Sequence, residues 1–254
     1  MNILNVVRKK GFLNNLLNQA ACLFKGHWPR FAAIVSVYVV PVMLIDAFFW
    51  KDQELILKII NKISVNSFAV FDYGIYAILA VLFFLTLAAL IRAICVADGG
   101  GTPGILSSYQ QGMRILDSYL WVKFLFVFKV LCWSLLLVVP GIMFGVLYNF
   151  SGMAAAVDGK KGMEALRDSK DIIARNISDY LYCVILTLTV AVLGCAVYII
   201  SLDTLLSVAY QTGHRLAGEV INIAEVALVA VTGIYFLIFY YYLYRALRDR
   251  GRGR

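Results

Sequence analysis

From Val130 to Val157 the chain carries no charged residue, and its apolar character reaches back to about Tyr119. As one helix those 39 residues would extend about 58 Å, nearly twice the ~30 Å of hydrocarbon in a bilayer. The run must therefore turn inside itself. Pro140-Gly141 is the expected place, because proline breaks a helix and glycine admits a tight turn. This predicts two membrane spans joined as a hairpin with almost no loop between them.

Composition carries the same reading to the whole chain. Of 254 residues, 62% are hydrophobic and only 15% charged, against about 45–50% and about 25% in a soluble domain. Mean hydropathy is +0.82. A water-soluble globule, a disordered chain and a fibrous one are all excluded. Further spans are expected at Phe31–Trp50, interrupted by Pro41 and Asp46, at Tyr73–Ile91, at Tyr180–Leu202 and at Val226–Tyr244. The fold class is thus an all-α bundle of six transmembrane helices in one integral membrane domain, 1–254.

The net charge of +8 reads as topology rather than as a nucleic-acid footprint. With six spans, the termini and the loops 92–123 and 158–179 share one side and carry eighteen Lys and Arg. The other side carries Lys51, Lys58, Lys62 and Arg215. Positively charged loops stay in the cytoplasm, so both termini are expected there, and a five-span count would spoil the asymmetry. No compact apolar stretch followed by a small-residue cleavage site marks a signal peptide near the N-terminus.

A three-fold repeat is suspected, with units of about 11–97, 104–157 and 162–245. Each unit opens on glycine (Gly11, Gly104, Gly162), and an aromatic follows 17 or 18 residues later (Trp28, Trp121, Tyr180). Between them lie apolar stripes at helical spacing: Phe12, Leu16, Ala20, Leu23; Ile105, Tyr109, Met113, Leu116; and Met163, Leu166, Ile173, Ile177. Each stripe predicts an amphipathic helix in the membrane interface, anchored by its aromatic at headgroup level.

Few motifs carry chemistry. Gly99 to Gly104 matches a dinucleotide fingerprint by letter, but it follows an expected span, not a strand, and reads as a connector. Asn149-Phe150-Ser151 and Asn176-Ile177-Ser178 match the glycosylation triplet in places where glycosylation is not expected. The five cysteines form no C-x-x-C pair, and two histidines are too few for a typical His-based metal site. No hydrolase, metalloprotease or Walker motif is present, so no catalytic residue, cofactor or metal is expected.

Charges inside the membrane are costly and are functional candidates by default. Asp46 near the outer end of span one and Lys129 well inside span three are the two candidates, read either as a buried pair on a solute path or as interfacial and structural charges. Gly141, Gly145 and Gly152 fall on one side of span four, where small residues let helices approach closely.

Val138-Val139-Pro140-Gly141-Ile142, Ala154-Ala155-Ala156-Val157-Asp158-Gly159 and Gly162-Met163-Glu164-Ala165-Leu166-Arg167-Asp168-Ser169 together resemble a signature of six-helix bacterial membrane proteins. The families are the YciC-like inner-membrane proteins and the membrane domain attached to some glycerophosphodiester phosphodiesterases. The resemblance covers about 100–180 and implies architecture and a bacterial inner-membrane location. The phosphodiesterase catalytic domain has no counterpart in these residues, so its activity is not implied. The expected function is non-enzymatic, in envelope or lipid-associated homeostasis, with basic loops on the anionic leaflet. The alternatives are a small-solute transporter or channel, and a scaffold that docks a protein partner or a second copy through span four.

Overall fold

The computed structural model describes residues 3–45, 65–211 and 215–252. Every element among them is helical: α1 (Ile3–Ile45), α2 (Val65–Asp98), α3 (Ile105–Leu136), α4 (Val138–Leu147), α5 (Ser151–Asp158), α6 (Gly162–Arg175), α7 (Ile177–Gln211) and α8 (Arg215–Arg252). Four stretches are long and apolar enough to cross a membrane: Lys9–Ile45, Tyr73–Asp98, Val138–Asp158 and Ile223–Arg250. A fifth is added if Gly162–Arg175 and Ile177–Val190, bent by 93° at Asn176, count as one. The expected third span falls in α3, which is not among them, so six spans do not follow from length and apolarity alone.

The run 119–157 does reverse. Trp133 stacks on Phe144 at 4.7 Å, Lys129 lies 5.2 Å over the Tyr148 ring, and a Cβ on Gly152 would sit 2.8 Å from Lys123 Cε. As one partner moves down the sequence the other moves up, so α3 runs antiparallel to α4 and α5. The reversal is at Leu137, extended at φ −157 and ψ 134, rather than at Pro140-Gly141. The reason lies in the proline. A helix continuing through Pro140 would lose a hydrogen bond and clash with the preceding turn. Breaking at Leu137 makes Pro140 the third residue of α4, where its absent N–H would have had no helical partner. The Leu137 N–H closes α3 on Trp133 O at 3.0 Å, and the Leu137 carbonyl opens α4 by accepting from Gly141 N at 3.3 Å.

The expected span four is two helices, not one. A turn at Tyr148–Phe150 separates α4 from α5. Phe150 at this break is fully buried against the rings of Tyr180, Tyr240 and Tyr244 at 4.9–5.3 Å. Ser169 of α6, also fully buried, donates to the freed Leu147 carbonyl at 2.9 Å.

The interfacial helices differ from expectation. The first two are not separate elements: α1 and α3 each run unbroken from the expected interfacial segment into the expected span, α1 passing through Pro29 and Pro41. Only α6 is set off, by the 93° bend. Its apolar residues Leu166 and Ile173 are buried in the protein core, while Met163 and, at the start of α7, Ile177 are exposed. In α3 the buried face is Ser108, Gly112 and Tyr119, whereas Ile105 and Met113 of the expected stripe point outward. Gly112 is there because a Cβ would lie 2.9 Å from the backbone nitrogen of Ala89 in α2. In a membrane protein the small residue marks the helix contact and the large apolar one can face lipid.

Burial also sets a register different from the glycine register of the sequence. Ala20, Ser108 and Ser169 are buried; eleven residues later so are Phe31, Tyr119 and Tyr180; three further on so are Ile34, Val122 and Cys183. The second helices match in the same way at Ile91, Ser151 and Tyr241, at Ala93, Met153 and Leu243, and at Ile94, Ala154 and Tyr244. Trp28 and Trp121 do not share the environment of buried Tyr180, being 51% and 56% exposed.

Candidate functional site

The last helix gathers the ends of the others. Asp98 ends α2 and Asp158 ends α5, each followed by glycine, and Gly100 and Gly159 take the left-handed φ of 79° and 68° that turns the chain away. A carboxylate at a helix C-terminus faces the negative end of the helix dipole and needs donors from elsewhere. α8 supplies them. Tyr242 and Tyr241 donate to Asp98 Oδ1 and Oδ2 at 2.8 and 3.0 Å, and Arg245 pairs with Oδ2. Tyr244 donates to Asp158 Oδ2 at 2.5 Å, and Arg248 pairs with Oδ1. One helical turn separates each guanidinium from the next partner, so a single face of α8 reaches both helix ends.

A third acid completes the set. Asp179, in the first turn of α7, accepts from Arg250 at 2.8 Å and lies 4.0 Å from Lys9 of α1. The Arg250 guanidinium also stands 3.9 Å from the centroid of the Phe12 ring. α1, α2, α5 and α7 are thereby tied to α8 within the span Tyr241–Arg250.

A cavity of about 300 Å³ opens among these groups, lined by Cys95, Asp98, Asp158, Tyr241, Tyr244, Arg245 and Arg248. A second, of about 480 Å³, shares Asp98 and Arg245 and adds Gln19, Tyr242 and Asp249. Both lie where helices end, not midway along them. Among the described residues no group of three or more His, Cys, Asp or Glu is placed to hold a metal ion.

The residues singled out in the sequence fall elsewhere. Asp46 lies outside the described residues, so the Asp46–Lys129 pair has no geometry. Lys129 has no acidic partner among the described residues and caps the Tyr148 ring instead. Gly141 is a close contact, its Cβ position 2.8 Å from Ser134 Cα, and Gly152 is another, against Lys123 and Tyr119. Gly145 is not: nothing stands within 4 Å of a Cβ there. Because α4 begins at Val138 and breaks at Tyr148, Gly145 does not share a packing face with Gly152. The Asp98–Asp158–α8 cluster escaped the sequence reading, which counted its arginines only as topological charge. The recurrence of Asp-Gly after an apolar helix, at 98–99 and 158–159, is the signal that marks it.

No protein-family model matches the chain, and neither a curated protein nor a solved structure does. The fold and the cluster define the class: among the described residues, an all-helical protein with four or five helices able to cross a membrane, fastened at one end by its last helix.

Proposed function

We propose that the chain is a non-enzymatic, multi-pass protein of the bacterial inner membrane that acts in envelope or lipid-associated homeostasis, with six spans and both termini cytoplasmic. The antiparallel course of α3 against α4 and α5 supports the sixth span, since a helix lying alongside a crossing segment crosses with it. The matched burial of three helix pairs supports a three-fold repeat, and the reversal at Leu137 just before Val138-Val139-Pro140-Gly141-Ile142, with the helix end at Asp158-Gly159, supports the YciC-like resemblance.

One observation carries the lipid role. α6 is bent 93° from α7, so it lies across the bundle when α7 crosses the membrane. Most of its apolar face is taken up by the protein, and Arg167, Lys170 and Arg175 are left exposed, outnumbering the exposed acids Glu164 and Asp171. Exposed basic groups in the headgroup layer attract an anionic leaflet, each worth about 1 kcal/mol. The test is retention of phosphatidylglycerol over phosphatidylcholine by the purified protein. Replacing all three residues with Gln should abolish the preference; an unchanged preference would overturn the reading.

Transport is the second reading, with Lys129 on the path, because that cation is uncompensated by an acid among the described residues. The position of the cavities at helix ends favours the first. Solute flux in sealed vesicles, lost on Lys129→Met at normal expression, would reverse that order.

A further inference from the structure

We infer that the cavity between Arg245 and Arg248 is a binding site for a phosphate-bearing anion. Unused donors make the site. The four carboxylate oxygens facing the cavity are all engaged: those of Asp98 by Tyr241, Tyr242 and Arg245, those of Asp158 by Tyr244 and Arg248. Each acid is therefore already paired, its charge offset by the arginine it holds. The guanidiniums are different. Each has five N–H donors. Among the described residues Arg245 bonds only through Nη1, and Arg248 through Nη1 with Nε 3.5 Å from Asp249. Both arginine side chains line one opening of about 300 Å³. Planar, forked donors of this kind match the oxygens of a phosphate.

Asp98 makes the exchange inexpensive. Its two tyrosine hydroxyls remain when Arg245 turns to a ligand, so the carboxylate is not stranded. Arg245 is 48% exposed on its side chain and lines both cavities, which gives the ligand a way in. A lipid headgroup and a soluble phosphate ester share this chemistry. The lipid source rests on the proposed orientation, which puts this end of the bundle at the cytoplasmic headgroups; the anion site itself does not.

The test uses the full chain in uncharged detergent, titrated with inorganic phosphate against chloride of equal ionic strength. Binding by calorimetry and a rise in melting temperature with phosphate are expected. Arg245→Gln, at the half-exposed position, should weaken binding about tenfold by removing a charged fork. Asp98→Asn, which loosens the competing pair, should tighten it. A merely structural cluster gives the opposite for Asp98→Asn, a loss of stability without gain of affinity, and that result overturns the site. So does a phosphate response unchanged in Arg245→Gln, or none in the parent protein. Nanodiscs separate the sources: a phosphatidylglycerol preference that falls in Arg245→Gln assigns the anion to lipid, and phosphate binding without it assigns a soluble ester. Variants of Arg167, Lys170 and Arg175 leave the cavity intact, so failure of the leaflet reading is told apart from failure of this one.

Discussion

Asp98 and Asp158 hold the same position at the ends of two different helices. Each is a helix's last residue, each precedes glycine, and each receives a tyrosine hydroxyl and an arginine from α8. In the register of buried residues the third equivalent is Arg248, since Ile94, Ala154 and Tyr244 each lie four residues earlier. Two of these matched positions are acids and the last is a base. The charge change lets the final helix lock onto an earlier one, as Arg248 does onto Asp158.

That lock sets a stability prediction. The side chains of Asp158 and Arg248 are each 18% exposed, so the pair is mostly withdrawn from water. Removing one member leaves the other with a lesser partner, Tyr244 for Asp158 and Asp249 for Arg248, and Arg248→Gln or Asp158→Asn should cost about 1–3 kcal/mol. The double variant should cost less than the two singles together, because neither partner is then left unpaired. Melting temperatures of the four proteins in one detergent check it, and strict additivity would count against a direct pair.

Glycine substitutions should follow contact geometry, not sequence spacing. Gly112→Ala places a methyl 2.9 Å from the backbone of Ala89, which cannot rotate away, and should cost about 1–3 kcal/mol. Gly145→Ala meets nothing within 4 Å and should fall within about ±0.5 kcal/mol, or stabilise slightly through helix propensity. Chemical or thermal unfolding of both proteins decides; a larger loss at Gly145 would refute the assigned contacts.

The hairpin in 119–157 was legible because length against bilayer thickness forces a turn, and Pro140 narrows where. It was placed three residues late because a proline is tolerated inside the first turn of a new helix. The faces were less legible. In water the apolar stripe marks the core, but in lipid both faces are apolar. Ile105 and Met113 consequently stand out in the sequence as the apolar stripe of an interfacial helix, while Ser108 and Gly112 do the packing. The Asp98–Asp158 cluster was invisible for another reason. Its members are contributed by segments some sixty and ninety residues apart, and charges at the ends of apolar runs are what topology alone requires. Only the two Asp-Gly ends and the tyrosines between 240 and 244 distinguish them from ordinary flanking charge.

Ser169 tests the break between α4 and α5. Its hydroxyl is fully buried and serves the Leu147 carbonyl, which the break leaves without a helical partner. Ser169→Ala should cost about 1 kcal/mol, with little change in backbone structure. Ser169→Cys, nearly isosteric but a weak donor, should fall between the two. Equal stability of Ala and Ser proteins would mean that water reaches Leu147.

The turn at Leu137 gives the topological prediction on which the sixth span depends. Val139 is exposed at the tip of the hairpin, two residues beyond the reversal. If α3 crosses the membrane and α4–α5 returns, that tip lies on the side opposite Lys161, which precedes α6. In a background with the native cysteines replaced, Val139→Cys should be labelled in whole cells by a membrane-impermeant thiol reagent. Lys161→Cys should be labelled only after the membrane is opened. Labelling of both from the same side would remove the hairpin from the membrane, and with it the parity that puts both termini in the cytoplasm. Pro140→Ala supplies a control on the cause: with the helix breaker gone, α3 can extend past Leu137. The Val139→Cys site should then react more slowly, because the tip is no longer pinned at one residue.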